Sequence, residues 1–109
     1  MNKLMLKGLP ASNGIIEGIA KVFLPGDDAK EFPQDAIMVT TLTDPTMVMA
    51  MMKASAIVTD MGGITSHPAI LSREMGIPCI VNTKLGTKLI KDGQRIKVDA
   101  ITGEIYDLD

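Results

Sequence analysis

The chain of 109 residues holds one histidine, His67, and one cysteine, Cys79. That inventory limits the chemistry available. There is no CxxC, no HExxH and no Walker A loop, so the chain has few means of holding zinc or cradling a nucleotide. There is no second histidine to complete an acid–base pair. What remains is the segment Gly62-Gly63-Ile64-Thr65-Ser66-His67-Pro68. Pro68 suits the first turn of a helix, which places His67 at a helix start. Backbone N–H groups there lack partners, and the positive end of the helix dipole lies there too. Such a place favours anions and disfavours an imidazolium. The ring is therefore kept neutral and nucleophilic, and a dianionic phosphoryl group that it acquires is stabilised. The dipole contributes about 0.3–1 kcal/mol, or ~2 kcal/mol when partly buried.

The neighbours of His67 fit supporting roles. Gly62 and Gly63 let another backbone or a substrate approach closely. The hydroxyls of Thr65 and Ser66 can bond the ring, phosphoryl oxygens or the helix start itself. Arg73 can give a charge-assisted contact to phosphate, although six residues beyond His67 is not the same helical face. Each residue also has a plainer reading. A lone histidine can be structural, a Gly-Gly pair can be only a turn, and Thr65 and Ser66 can be only caps.

The elements that must position this segment are short. Gly8 to Gly14 reads as loop and Ile15 to Phe23 as a strand, with Gly18 at a bulge or a close approach. Pro25-Gly26-Asp27-Asp28 is a turn, and Ala36 to Thr40 a buried strand. Asp44 caps a helix with Pro45 in its first position, running to about Lys53. Ala56 to Thr59 is a strand that feeds the glycine pair. The helix after His67 stops near Gly76, and Ile77 to Val81 is buried strand. Lys91-Asp92-Gly93-Gln94 reads as a hairpin turn before an alternating strand, Arg95 to Asp99. Thr102-Gly103 turns into Glu104-Ile105-Tyr106. Strands with two short helices between them predict a mixed α/β fold, one domain over residues 1–109.

Composition narrows the function further. Hydrophobic residues are 46% and aromatics only 3%, so the core is built from Ile, Val, Leu, Met and Ala. Stacking of bases on aromatic rings is not expected. A net charge of -2 argues against nucleic acid as a partner. No apolar run approaches the ~20 residues that cross a bilayer. The opening residues, Met1 to Lys7, are too interrupted for a signal peptide. A lone cysteine in an apolar run is a small buried hydrophobe, and a reducing, cytoplasmic setting fits it. Met47, Val48, Met51 and Met52 fall at helical spacing and read as core, or as an adaptable docking surface. Lys84, Lys88, Lys91 and Arg95 read as a solvated face.

The stretch from Gly62 to Arg73, followed by Glu74-Met75-Gly76-Ile77-Pro78-Cys79-Ile80-Val81, closely resembles the phosphohistidine signature of the phosphoenolpyruvate-utilising enzymes. That family includes pyruvate phosphate dikinase, phosphoenolpyruvate synthase, enzyme I of the sugar phosphotransferase system and rifampicin phosphotransferase. Gly8 to Val22 resembles the family's opening Gly-x-x-x-Ser-x-Gly stretch and first strand. Lys91 to Tyr106 resembles its closing Asp-Gly, Val-Asp and Thr-Gly-Glu pattern. The resemblance implies a swivelling β/β/α domain in which His67 is phosphorylated at Nε2 and relays the group. It implies a hydroxyl near the histidine at Thr65, which in some dikinases is also a regulatory phosphorylation site. It implies no cofactor bound by this domain itself. Mg2+ and ATP or phosphoenolpyruvate are expected on separate partner domains or subunits, one ATP-grasp-like and one binding phosphoenolpyruvate or pyruvate. Pro68 departs from the small residue usual at its position. The competing readings are a docking or regulatory module without phosphotransfer, and a swivel domain that caps an aconitase-type dehydratase.

Overall fold

Three of the shortest apolar runs in the chain have no exposed residue at all. In the computed structural model, which describes residues 2–109, these are β4 (Ile37–Thr40), β5 (Ala56–Thr59) and β6 (Cys79–Val81). Met1 of the opening segment lies outside the described residues. The three strands pair in parallel, β4 to β5 and β5 to β6. Burial on both faces is what a parallel sheet requires. Alternate side chains enter two separate cores. Met38, Ile57, Cys79 and Val81 join Met47, Ala50, Met51 and Ala69 on the helical side. Ile37, Val39, Ala56, Val58 and Ile80 join Leu6, Ile96, Val98 and Ile105 on the other.

That second core is closed by antiparallel strands: β1 (Lys3–Lys7), β3 (Ile15–Val22), β7 (Arg95–Asp99) and β8 (Glu104–Asp107). The full strand order is β1-β8-β7-β3-β4-β5-β6-β2, where β2 is Leu9–Ser12. The long strand β3 joins the layers. Ile15 to Ile19 pair with β7, and Ala20 to Val22 pair with β4. Gly18 sits at the close approach rather than at a bulge, since a Cβ there would lie 3.3 Å from Ile37 Cδ1. The layers are thus antiparallel sheet, parallel sheet and helices, a β/β/α arrangement. The helical layer comprises α1 (Val48–Met51) and α2 (His67–Met75). No helix among the described residues is long and apolar enough to cross a membrane.

Four local expectations are corrected. Residues 8–14 are not all loop, because β2 pairs antiparallel with β6 at the sheet edge, where Pro10 is tolerated. Asp44 does cap, accepting from the Thr46 N–H at 2.8 Å, but the element it caps is a 3-10 turn over Pro45–Met47, succeeded by a single α-turn ending at Met51. A third helix, α3 (Gly86–Leu89), is present. The 91–94 turn is not a hairpin: it joins α3 to β7, and the hairpin is the 100–103 turn between β7 and β8. In the methionine stripe Met47 and Met51 are core, while Met49 and Met52 are exposed. Cys79 is fully buried, and that burial pushes its thiol up to about 11.

Candidate functional site

The C-terminal ends of adjacent parallel strands are where an open α/β sheet places its ligands. Here the loops leaving β4 and β5 stay paired past the strands, with Asp60 N–H donating to Thr40 O and Met61 N–H to Thr41 O, both at 3.0 Å. His67 emerges from the second loop as the first residue of α2, half-buried, with Pro68 beside it. The helix ends as its glycine signal predicts, with Gly76 left-handed at φ 73.

The ring is fixed by a residue of the other loop. Thr43 Oγ1 lies 2.7 Å from His67 Nδ1, and Thr43 is buried. A threonine hydroxyl can donate or accept, so two tautomers satisfy this contact. When Nδ1–H donates to Thr43 Oγ1, the lone pair of Nε2 is free for attack. Among the described residues no hydrogen bond reaches Nε2. The backbone N–H groups of His67 and Ala69 likewise find no acceptor, and no side chain caps this helix. Pro68 contributes no N–H, so two unpaired donors and the helix dipole adjoin the ring.

The other expected residues take different places. Gly62 has φ 107, and a Cβ there would lie 2.9 Å from Ser66 Oγ and 3.2 Å from Leu42 Cδ1. Gly63 has an ordinary φ and nothing within 4 Å of such a Cβ. Gly62→Ala is therefore expected to shift Ser66 and the helix start, lowering stability by about 1–2 kcal/mol. Gly63→Ala is expected to leave stability within ~0.5 kcal/mol of wild type. Urea denaturation of the two variants checks the contrast. The Ser66 hydroxyl donates to Gly63 O at 2.6 Å, closing the loop on itself. Thr65 is exposed. The Arg73 guanidinium donates to Ile64 O through Nη2 and, at 2.9 Å, through Nη1, so it clamps the loop from farther along α2.

Two residues of the site were missed in the sequence. Thr43 is one. The signal was its place just beyond β4, since residues past the ends of neighbouring parallel strands converge. Asp60 is the other, at the end of β5. Its carboxylate accepts from Thr87 N–H at 2.9 Å and from the Thr87 hydroxyl at 2.5 Å. It thereby caps α3, which has no side-chain cap of its own. A Cβ at Gly86 would lie 2.9 Å from Asp60 Oδ1, so only glycine fits beneath it. Asp44, next to Thr43, has its carboxyl held below the usual range by the Thr46 hydroxyl first, then by the Thr46 N–H, with a smaller pull from His67.

The chain is similar in sequence and in fold to several known proteins. A probable phosphoenolpyruvate synthase of Archaeoglobus fulgidus is 49% identical over 105 residues, covering 96% of this chain and 14% of the relative. The phosphoenolpyruvate synthase of Pyrococcus furiosus is 49% identical over 104 residues, covering 95% and 13%. The chain thus spans only about one-seventh of the length of these relatives. A solution structure of Enzyme I superposes with a TM-score of 0.63 at 26% identity, over 72% of this chain and 33% of that one. The aconitase X structure from Thermococcus kodakaraensis superposes at 0.72 with 22% identity, over 95% and 98%, which is a likeness of fold. The family model described as PEP-utilising enzyme, mobile domain, matches residues 32–103, and the chain belongs to that family.

Proposed function

We propose that the chain is a phosphoryl carrier in which His67 is loaded at one partner site and unloaded at another. The observation that carries this reading is the half-buried imidazole at the start of α2, bonded through Nδ1 to Thr43 and unbonded at Nε2. In the first displacement the Nε2 lone pair forms a P–N bond as the bond from phosphorus to the donor's oxygen breaks. In the second, the P–N bond breaks and its electron pair returns to Nε2 as the acceptor takes the phosphoryl group. The two unpaired N–H groups at the helix start and the exposed Thr65 hydroxyl are available to phosphoryl oxygens. Ser66, Gly62, Gly63 and Arg73 shape and hold the loop that carries them.

The donor and acceptor sites lie on partner domains or subunits: one ATP-grasp-like, one binding phosphoenolpyruvate or pyruvate, with Mg2+ and ATP or phosphoenolpyruvate bound there. This extends the names of the phosphoenolpyruvate synthase relatives, of which the chain matches a small part, to this protein. Met61, Ile64 and Ile70 are exposed on the loop and helix that bear His67, an apolar surround that suits reversible docking. The aconitase-type reading shares the fold but does not account for the histidine motif.

The test is the intact mass of the purified chain after incubation with magnesium and either phosphoenolpyruvate or ATP. The medium is an extract shown to phosphorylate a known carrier of this family. The expected result is a gain of one acid-labile phosphoryl group. No gain from either donor would replace the carrier reading with the docking module. Thr43→Val removes the Nδ1 partner at little change in volume. It is expected to slow loading about five- to ten-fold, the worth of one ~1 kcal/mol hydrogen bond in a transition state. Quenched-flow labelling reads that rate.

A further inference from the structure

Direct transfer leaves no gap between a carrier and its partner. The donor's phosphorus must come within ~3–3.5 Å of Nε2, and His67 is half-buried at the first position of α2. The partner domain that loads it therefore presses on the loop from β5 that leads into His67. Ile64 and Thr65 form the exposed tip of that loop. How the tip is held decides whether the partner meets a formed surface.

The base of the loop is tied several times. The Met61 N–H donates to Thr41 O at 3.0 Å, and the Thr59 hydroxyl donates to Met61 O at 2.6 Å. Ser66 donates to Gly63 O through its N–H, at 3.0 Å, and through its hydroxyl, at 2.6 Å. The tip has one tie. Among the described residues the N–H groups of Ile64 and Thr65 find no acceptor, and the only donor to Ile64 O is the Arg73 guanidinium, through Nη2 and, at 2.9 Å, through Nη1. Helical side chains lean toward the helix N-terminus, and so Arg73 reaches back to a residue nine positions earlier. No carboxylate pairs with Arg73 among the described residues. The ring is anchored separately, through Nδ1, by Thr43.

We propose that Arg73 is the positioning residue for partner recognition: by clamping Ile64 O it keeps the loop tip in the shape on which the loading domain docks. The proposal deepens the carrier reading and rests on it. It divides the work between two anchors, Thr43 for the ring and Arg73 for the docking tip. Without the clamp the tip takes several shapes, and apparent affinity falls with the fraction that can dock. Once docked, the partner itself holds the tip, so Thr65 is returned to its place. Nε2 is bonded to neither anchor. The loss therefore falls on KM and spares kcat.

The test follows labelling of the purified chain, at varied concentration, in the loading extract with magnesium and the donor that labels wild type. Arg73→Met keeps an aliphatic stem and removes the donors. Arg73 and Ile64 are both exposed, so their variants fold. The expected result for Arg73→Met is a KM about five- to ten-fold higher, with kcat within about two-fold of wild type. Arg73→Lys, a single ammonium in place of the planar fork, falls between the two. Ile64→Ala also raises KM. Combining it with Arg73→Met adds less than about two-fold to the larger single effect, because both act through one tip. A wild-type KM in Arg73→Met overturns the proposal, and so does a loss confined to kcat. Effects that multiply in the double variant overturn it too, since Arg73 would then touch the partner directly. A wild type that takes no label is failure of the carrier reading, and the proposal falls with it. A labelled wild type beside an indifferent Arg73→Met removes the proposal alone.

Discussion

His67→Ala is expected to lose phosphoryl labelling entirely, with no added mass from either donor under conditions that load the wild type. No other imidazole is present to substitute, and Cys79, with its thiol buried and pushed up to about 11, is no alternative nucleophile. The fold should survive. Among the described residues the one side-chain hydrogen bond of His67 is to Thr43, worth about 1 kcal/mol, and alanine is the better helix former. The variant should therefore unfold within ~1–2 kcal/mol of wild type in urea. Labelling of a folded His67→Ala chain on the wild-type scale would refute the mechanism outright.

Gly103→Ala carries the largest expected cost to stability. Gly103 closes the hairpin between β7 and β8 at φ 83, its N–H donating to Asp99 O at 2.9 Å. Its carbonyl accepts from Gly8 N–H at 2.8 Å, where β1 gives way to β2. A side chain there meets two penalties. The left-handed conformation costs about 1–2 kcal/mol. A Cβ would also fall well inside 3.0 Å of the Gly8 carbonyl oxygen, backbone that cannot rotate away, adding ~1–3 kcal/mol of overpacking. The sum, about 2–5 kcal/mol, is a large part of a ~5–15 kcal/mol stability. Gly93→Ala isolates the first penalty, since Gly93 also has φ 83 but nothing within 4 Å of a Cβ. Urea midpoints should fall far more for Gly103→Ala. Equal shifts would mean that the contact with Gly8 costs nothing.

The closing Thr-Gly-Glu pattern contains Gly103, but the pattern does not say why glycine is needed there. The turn alone would have explained it, as it explains Gly93. The second reason, a backbone 95 positions away, exists only in the folded chain. The same holds for the glycine pair: Gly62 and Gly63 are equivalent in sequence, and only the loop's closure against Ser66 and Leu42 separates them.

Signals that act within a few residues were legible. Asp44 and Pro45 mark a helical start, Gly76 a stop, and the runs at 56–59 and 95–99 are strands because burial period and β-branching are local properties. The place of His67 at a helix start came from Pro68 in the same way. The unread features depend on distant partners. β1 and β2 are strands because β8 and β6 supply hydrogen bonds that the sequences around Leu4 and Leu9 do not announce. α3 is capped by Asp60, 27 residues away. Thr43 reaches Nδ1 from 24 residues away because two parallel strands end side by side. By itself the sequence singled out one imidazole, His67, and placed it at a helix start. Tertiary structure decided which side chain bonds the ring at Nδ1, because that contact joins loops brought together only when β4 and β5 pair.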